Sequence, residues 1–323
     1  MHGGDVSFDD IVVRDYPSDV CACYPYIECI RSEHDEDATI QDFFKNFPDD
    51  DTCLEHLFKT RFGVDVACDR CGEVGKFRRL RKVPAYTCNC GQHIHPMAGT
   101  PFAKSRTSLQ KWFYAMYLFT ASRHGVPAKE LQRQLGVTYK TAWRIGHELR
   151  KYMATVDGDP PLSGHVEVDE TYVGGKPRFR GKGNVGKQHY RNRKTAIFGM
   201  VERNGDIITR VVPNAQRNTL IPIIADNVEQ DSMISTDEWH PYKALPAAGY
   251  GHQIVKHRAG EYVRGTAHTN TLDGLWSQLK RAIRGTHVHI SGKHMAKYLG
   301  EFEFRYNLRK SPELMFDRLL AGF

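Results

Sequence analysis

Four cysteines carry the plainest chemical signal in the chain. Cys68 and Cys71 form a C-x2-C pair, and after a gap of 16 residues Cys88 and Cys90 form a C-x-C pair, with Gly72 and Gly91 directly behind them. Two such knuckles at the ends of a short hairpin converge four thiolates tetrahedrally on one structural Zn²⁺, as in a zinc ribbon. The intervening FRRLRKVPAYTC reads as a short strand with basic decoration. His93 and His95 lie close enough in sequence to stand in as ligands, and otherwise are surface histidines. Cys21, Cys23, Cys29 and Cys53 show no comparable two-pair pattern and read as free thiols.

A second set of residues is acidic. In HVEVDETYVGGK, Val166 and Val168 alternate with Glu167 and Asp169, which puts the valines on one face of a strand and the carboxylates on the other. An acid on a strand is ordinarily just solvated, and Glu167 and Glu170 either tune Asp169 or form local hydrogen bonds. SMISTDEWHPY reads as a strand ending in Asp237. TNTLDGLWSQLKRAIRG reads as a helix at about 100° per residue, with Asn270, Asp273, Ser277 and Lys280 in one polar stripe. Leu272, Leu275, Trp276, Leu279 and Ile283 take the opposite face. Asp237 and Asp273 are separated by 35 residues, and Lys280 follows Asp273 by two helical turns.

The elements that must position these groups follow from periodicity and punctuation. Residues 106–155 contain the helical segments SLQKWFYAMYLFTASRH, AKELQRQL and YKTAWRIGHELRKYM, separated by Gly125-Val126-Pro127 and Gly136-Val137-Thr138. A short helix, a tight glycine turn and an amphipathic second helix have the shape of a helix-turn-helix, with Tyr139, Lys140, Thr141 and Arg144 at the DNA-reading end. An ordinary three-helix packing unit is the alternative. After the linker DGDPPLSG, TAIFGMVERNGDIITRVV reads as two strands joined at Asn204-Gly205, NTLIPIIADNVEQ as a helix and HQIVKH as a strand. An α/β fold with a mixed sheet and flanking helices is the natural assembly. Upstream, TIQDFF starts a helix with Thr39 as N-cap, and DDDTCLEHLFKTRFG is a second helix whose end charges match its dipole.

Charge narrows the partner. The chain of 323 residues has 45 Lys plus Arg against 38 Asp plus Glu, yet residues 1–60 alone hold 15 acids and 4 bases. The remainder is therefore strongly basic, which points to a polyanion such as nucleic acid or to solubility alone. Residues 175–194 carry eight Lys or Arg and no acid, and Arg178, Arg180 and Lys182 lead this loop as phosphate contacts, a solvated loop being the alternative. The acidic opening reads as a solvated tail or an electrostatic mimic of DNA. At 40% hydrophobic and 26% charged residues, with no run of about 18 apolar residues and no basic-then-apolar leader in MHGGDVSFDD, an intracellular protein without membrane spans is expected.

Six ordered blocks carry a family resemblance: the ribbon followed by GTPFAKSRTSLQKWFYAM, then LGVTYKTAWRIGHELR, VEVDETYVGGK, STDEWHPY, HTNTLDGLWSQLKRAIRGTH and KHMAKYLGEFEFRYNLR. The chain resembles insertion-sequence transposases of the ISXO2-like kind, which join a zinc ribbon to a DDE-type catalytic domain, and their eukaryotic Merlin relatives. The resemblance implies a ribonuclease-H-like sheet over residues 163–323, behind an acidic extension (1–60), a ribbon (61–104) and a helix-turn-helix-like domain (105–156). It implies Asp169 and Asp237 as ligands of Mg²⁺ or Mn²⁺. Asn270 or Asp273 is the third catalytic group, the spacing and Lys280 favouring Asp273 over the position where relatives carry Asn. Lys280, Arg281 and Arg284 would sit on terminal phosphates or else are plain surface bases; in the helical KHMAKYLGEFEFRYNLRK the interleaved Tyr298, Phe302, Phe304 and Tyr306 read chiefly as core and Arg305 and Arg309 as DNA contacts. The implied activity is cleavage at terminal inverted repeats and joining of the freed 3′-hydroxyl to target DNA by a homo-oligomer. The alternative is an inactive, domesticated descendant that only binds DNA.

Overall fold

The protein is described by a computed structural model covering residues 39–156, 160–174 and 194–323. Arg178, Arg180, Lys182, the remaining cysteines Cys21, Cys23 and Cys29, and the acidic opening lie outside these described residues. The chain enters through α1 (Ile40–Asn46), where Thr39 and Asp42 form the reciprocal capping box. Next comes α2 (Asp50–Phe62), whose N-cap Asp49 accepts from Thr52 N. A small antiparallel sheet of β1 (Arg78–Arg79), β2 (Tyr86–Thr87) and β3 (His93–Ile94) follows. Three helices come next: α3 (Leu109–Ala121), α4 (Ala128–Leu135) and α5 (Tyr139–Val156).

Gly136 ends α4 in the left-handed conformation, at φ 60°, and returns its N–H to Gln132 O, which turns the chain directly into α5. Trp112, Phe113 and Phe119 of α3 and Leu131, Ile145, Leu149 and Met153 of α4 and α5 fill the first core.

The second layer is a five-stranded sheet of β4 (His165–Val173), β5 (Thr195–Glu202), β6 (Ile207–Val212), β7 (Met233–Thr236) and β8 (Gly251–Ile254). Its strand order is β6-β5-β4-β7-β8, antiparallel from β6 to β4 and parallel from β4 to β8. The β5–β6 hairpin turns at Asn204, whose φ is 60°. On one face Val166, Val168, Phe198 and Met200 meet α6 (Arg217–Asn227) through Leu220 and Ile224. On the other, Ile197, Val201 and Ile207 meet α7 (Asn270–Ala282) and α8 (Gly292–Asn307). The valines of β4 thus face α6, and Glu167 and Asp169 point to the α7 side.

The last helix, α9 (Met315–Ala321), does not stay with the sheet. Its Met315, Leu319 and Leu320, together with Phe304 of α8, complete the first core beside α3 and α5. Between α5 and α8 lies a buried ion triad: Arg150 Nε donates to Glu301 Oε2 at 2.6 Å and Arg305 Nη2 to Glu301 Oε1 at 2.6 Å. Burial opposes ionisation of Glu301, yet the two guanidiniums hold its carboxyl down to about 2. Arg305 also donates to Ser122 O, and Arg309 donates to Tyr306 O at 2.7 Å and Gly205 O at 2.9 Å. These arginines, expected on DNA, are instead consumed by internal carbonyls and a buried carboxylate. Among the described residues no helix is long and apolar enough to cross a membrane.

Candidate functional site

The four cysteines meet as their spacing requires. The ligand atoms of Cys68, Cys71, Cys88 and Cys90 lie within 4.8 Å of one another, with Sγ···Sγ distances of 3.6 Å for Cys68–Cys90 and for Cys71–Cys88. A tetrahedron with Zn–S bonds of about 2.3 Å has edges of about 3.8 Å, whereas a disulfide needs about 2.05 Å. The donor set and its geometry therefore fit a soft, four-coordinate ion. His93 and His95 are exposed and stay outside the cluster. Cys53 is fully buried in α2, where burial pushes its thiol up to about 12.

The candidate carboxylates lie on the two central parallel strands and the helix beside them: Asp169 in the middle of β4, Asp237 directly after β7 and Asp273 in the first turn of α7. In the parallel β4–β7 register Glu167 pairs with Ser235, the last pair of the two strands, and Asp169 and Asp237 each follow that pair by two residues. Asp169 accepts a hydrogen bond from the indole Nε1 of Trp276, on α7, at 2.9 Å. Burial and the charges of Glu170 and Asp273 push its carboxyl up to about 8, so Asp273 is electrostatically near it. Asp237 closes a turn by accepting from Trp239 N at 2.9 Å, and burial raises its carboxyl also. The hydroxyl of the buried Tyr242 donates to Glu170 Oε2 at 2.5 Å, and that phenol feels the charges of Glu170, Asp169 and Asp237 together. Hard oxygen donors whose negative charge accumulates against burial are the donor set that a divalent cation relieves.

Asp273 is an exposed residue in the first turn of α7, while Asn270 is exposed at its first position. Lys280 lies half-buried two turns on, and Arg281 and Arg284 are exposed beyond it. A buried carboxylate fixes where this helix begins. Glu167 Oε2 accepts from Thr271 N at 2.9 Å and Leu272 N at 3.4 Å, and Oε1 accepts from Thr271 Oγ1 at 2.9 Å. Arg203 Nε at 3.2 Å and His268 Nδ1 at 3.0 Å complete its surroundings. A negative charge at free N–H groups is where a helix dipole favours one. Glu167 therefore ties α7 to β4 rather than bonding locally.

Gly199 completes the support. It pairs with Asp169 across β4 and β5, and a Cβ there would stand 2.5 Å from the Trp276 ring. Only a bare backbone lets the indole lie flat enough on the sheet to reach Asp169.

At the turn between α4 and α5, Tyr139 and Lys140 are exposed. Thr141 is partly committed to a local cap with Thr138, its hydroxyl 3.0 Å away. Arg144 reaches Ser105 Oγ at 3.2 Å and the Trp112 ring at 5.4 Å. Trp143, unremarked in the sequence, is exposed one turn beyond Tyr139. Trp276, Gly199 and Tyr242 are likewise not assigned to the acidic site by pattern, whereas Glu170 both acts on Asp169 and accepts from Tyr242. Trp276 reads as core from helical spacing alone, and its position at the border of the polar stripe is the signal that could have found it.

Residues 161–307, from just before β4 to the end of α8, match the ISXO2-like transposase domain. The chain is 27% identical over 284 residues to a protein in transposable element ISH50 of Halobacterium salinarum, covering 83% of this chain and 94% of that one. It is also 32% identical over 101 residues to a transposase-like protein of Haemophilus influenzae, 31% of this chain and 80% of that one. The chain belongs to the ISXO2-like transposase family, and membership implies DNA as its partner.

Proposed function

We propose that the protein binds the end repeats of a mobile element and carries out metal-dependent DNA cleavage and strand transfer on a ribonuclease-H-like domain. The observation that supports this reading is electrostatic proximity: the charge of Asp273 on α7 helps burial and Glu170 push Asp169 on β4 up to about 8, and the charges of Asp169 and of Asp237, just after β7, both act on Tyr242. Asp169, Asp237 and Asp273 would hold Mg²⁺ or Mn²⁺, Asp273 being preferred to Asn270 because its charge acts on Asp169. Divalent cations bound there supply activation of a water or 3′-hydroxyl nucleophile and stabilisation of the leaving oxygen.

The chain's own residues supply position. Trp276 fixes the Asp169 carboxylate, Glu167 holds the N-terminal turn of α7 against β4, and Lys280, Arg281 and Arg284 offer cations to the phosphates of the DNA end. Tyr139, Lys140, Thr141 and Arg144 at the start of α5 face the duplex as a helix-turn-helix, Tyr139 and Lys140 having the freest side chains. Cys68, Cys71, Cys88 and Cys90 hold a structural zinc. Two ends must be brought together for joining, so the active form is a homo-oligomer.

The test is cleavage and joining of a plasmid carrying the DNA that flanks the gene, in Mg²⁺ or Mn²⁺, with the native protein, Asp169→Ala and Asp237→Ala. Metal-dependent 3′-end cleavage and joined product, lost in both variants, support the reading. Tight end binding without a cut product in either metal overturns it in favour of a domesticated DNA-binding protein.

A further inference from the structure

Two aromatic rings stand in solvent beside the acidic cluster. Trp239, two residues past Asp237, is 41% exposed, and Tyr262 is 62% exposed. Trp239 is nonetheless fixed in place. Its backbone N–H donates to Asp237 Oδ1 at 2.9 Å and its indole N–H to Ala215 O at 3.1 Å. Both of its donors are thereby used, and what remains open is ring surface. The Tyr262 ring lies 5.4 Å from that of His257, tilted by 38°, and His257 Nε2 is 3.5 Å from Thr269 Oγ1 at the head of α7.

These rings are interleaved with cations. Residues 256–267 contain Lys256, His257, Arg258 and Arg264 against the single acid Glu261. Arg258 N donates to Glu238 Oε1 at 3.1 Å and its guanidinium pairs with the same oxygen at 3.4 Å, which fastens the segment to the residue following Asp237, while Arg264 pairs with Glu261 at 4.0 Å; both guanidiniums stay exposed to further phosphate contact. The charges of His257 and Arg258 act on Asp237 itself. A rigid ring with an open face, flanked by cations, is the composition that holds unpaired nucleotides, because every base has a π-face and every linkage a negative charge. A paired base hides that face in the helical stack, so only a base taken out of the duplex can use it.

We infer that Trp239 and Tyr262 form a stacking platform for an unpaired base at the DNA end being cut, with Arg258 and Arg264 on the neighbouring phosphates. The inference rests on the proposed function and adds that the end must be opened before the scissile phosphate reaches Asp169 and Asp237. Trp239 is hydrogen-bonded to Asp237, Tyr262 lies beside the His257 whose charge acts on Asp237, and the exposed guanidiniums of Arg258 and Arg264 add positive charge, which selects nucleic acid over an apolar protein segment.

The experiment uses the full chain and a duplex of the flanking DNA with 5-iodouracil at successive terminal positions, with Ca²⁺ present to restrain cutting. Irradiation should cross-link one terminal position to Trp239 or Tyr262, mapped by peptide mass spectrometry. Ends with two unpaired terminal bases should bind Trp239→Ala about 5- to 150-fold more weakly than native protein, the range that stacking one base on an aromatic side chain spans. Trp239→Phe should recover most of that loss, and blunt ends should discriminate less. Cross-links confined to other residues, or equal binding of opened ends by Trp239→Ala, overturn the platform while leaving the proposed function standing. A second copy of the chain covering Trp239 would appear as protein–protein cross-links and also overturns it. Failure of the native protein to bind either kind of end removes the proposed function, and the platform with it.

Discussion

The tetrathiolate cluster and the carboxylate cluster are built on different scales. Cys68 and Cys90 are 22 residues apart and sit on two tight turns, one closed by the Ala67–Val74 bridge and the other joining β2 to β3. Asp169 and the indole that orients it are 107 residues apart, and Glu167 reaches 104 residues to cap the helix that carries Asp273. The first site is specified by local spacing and needs little else of the chain. The second exists only once β4, β5, β7 and α7 have assembled, so it inherits the cooperativity of the fold. A soft site made of turns suits a structural ion, and a hard site mounted on strands and a helix suits chemistry that needs positioning.

If the two sites are independent, each can be removed without the other. Cys71→Ser takes one exposed thiolate from the tetrahedron. It should abolish zinc binding, a loss on the order of 10 kcal/mol of ion-binding free energy, while leaving Mn²⁺ affinity unchanged. Zinc stoichiometry by plasma mass spectrometry and Mn²⁺ titration check this, and a parallel fall in Mn²⁺ affinity would break the separation. In the opposite direction, Asp169→Ala should lower cleavage by about 10³-fold or more while zinc stays bound at its native ratio. Quenched-flow cleavage alongside metal analysis reads both.

Removing only the support of the carboxylates should have a smaller effect. Trp276→Phe keeps the ring and deletes the N–H that Asp169 accepts, and Gly199→Ala drives a Cβ into that ring. Each should weaken Mn²⁺ binding by about 10- to 100-fold, as changes to groups that orient metal ligands do. Calorimetric titration measures this, and unchanged affinity in both variants would mean that Asp169 needs no positioning.

The smallest effect is on stability. Asp169 titrates at about 8 in the folded protein against its ordinary 3.8, so the folded state holds that proton more tightly than the unfolded chain. The stability this confers is complete below about pH 4 and is lost progressively as pH rises to about 8. Asp169→Asn escapes that loss. In the absence of divalent ions its melting temperature should exceed that of the native protein by several degrees near pH 8, and the gap should close toward about pH 4. A gap independent of pH would show that burial at Asp169 is not the cause.

What was legible in the sequence divides along the same line. Cys68, Cys71, Cys88 and Cys90, the Gly136 turn, the Asn204-Gly205 hairpin and the buried stripe of α7 are all set by neighbours a few residues away, and each falls where its spacing predicts. Gly199 and Trp276 were not legible as site residues, because their meaning depends on a strand and a helix meeting. Arg305 and Arg309 misled for the same reason. A basic residue among aromatics suits a phosphate as well as it suits Glu301 or a carbonyl, and only the packing of α8 on α5 decides. The docking of α9 beside α3 is likewise written in hydrophobic residues that any core would accept.

The most direct test of the central claim is anomalous diffraction from crystals of the protein soaked in Mn²⁺, with data at the manganese and zinc edges. Manganese peaks bounded by Asp169, Asp237 and Asp273, and a separate zinc peak within Cys68, Cys71, Cys88 and Cys90, are the predicted result. Manganese held by Glu170 and Asp237 without Asp169, or no peak among these carboxylates at saturating Mn²⁺, would contradict it.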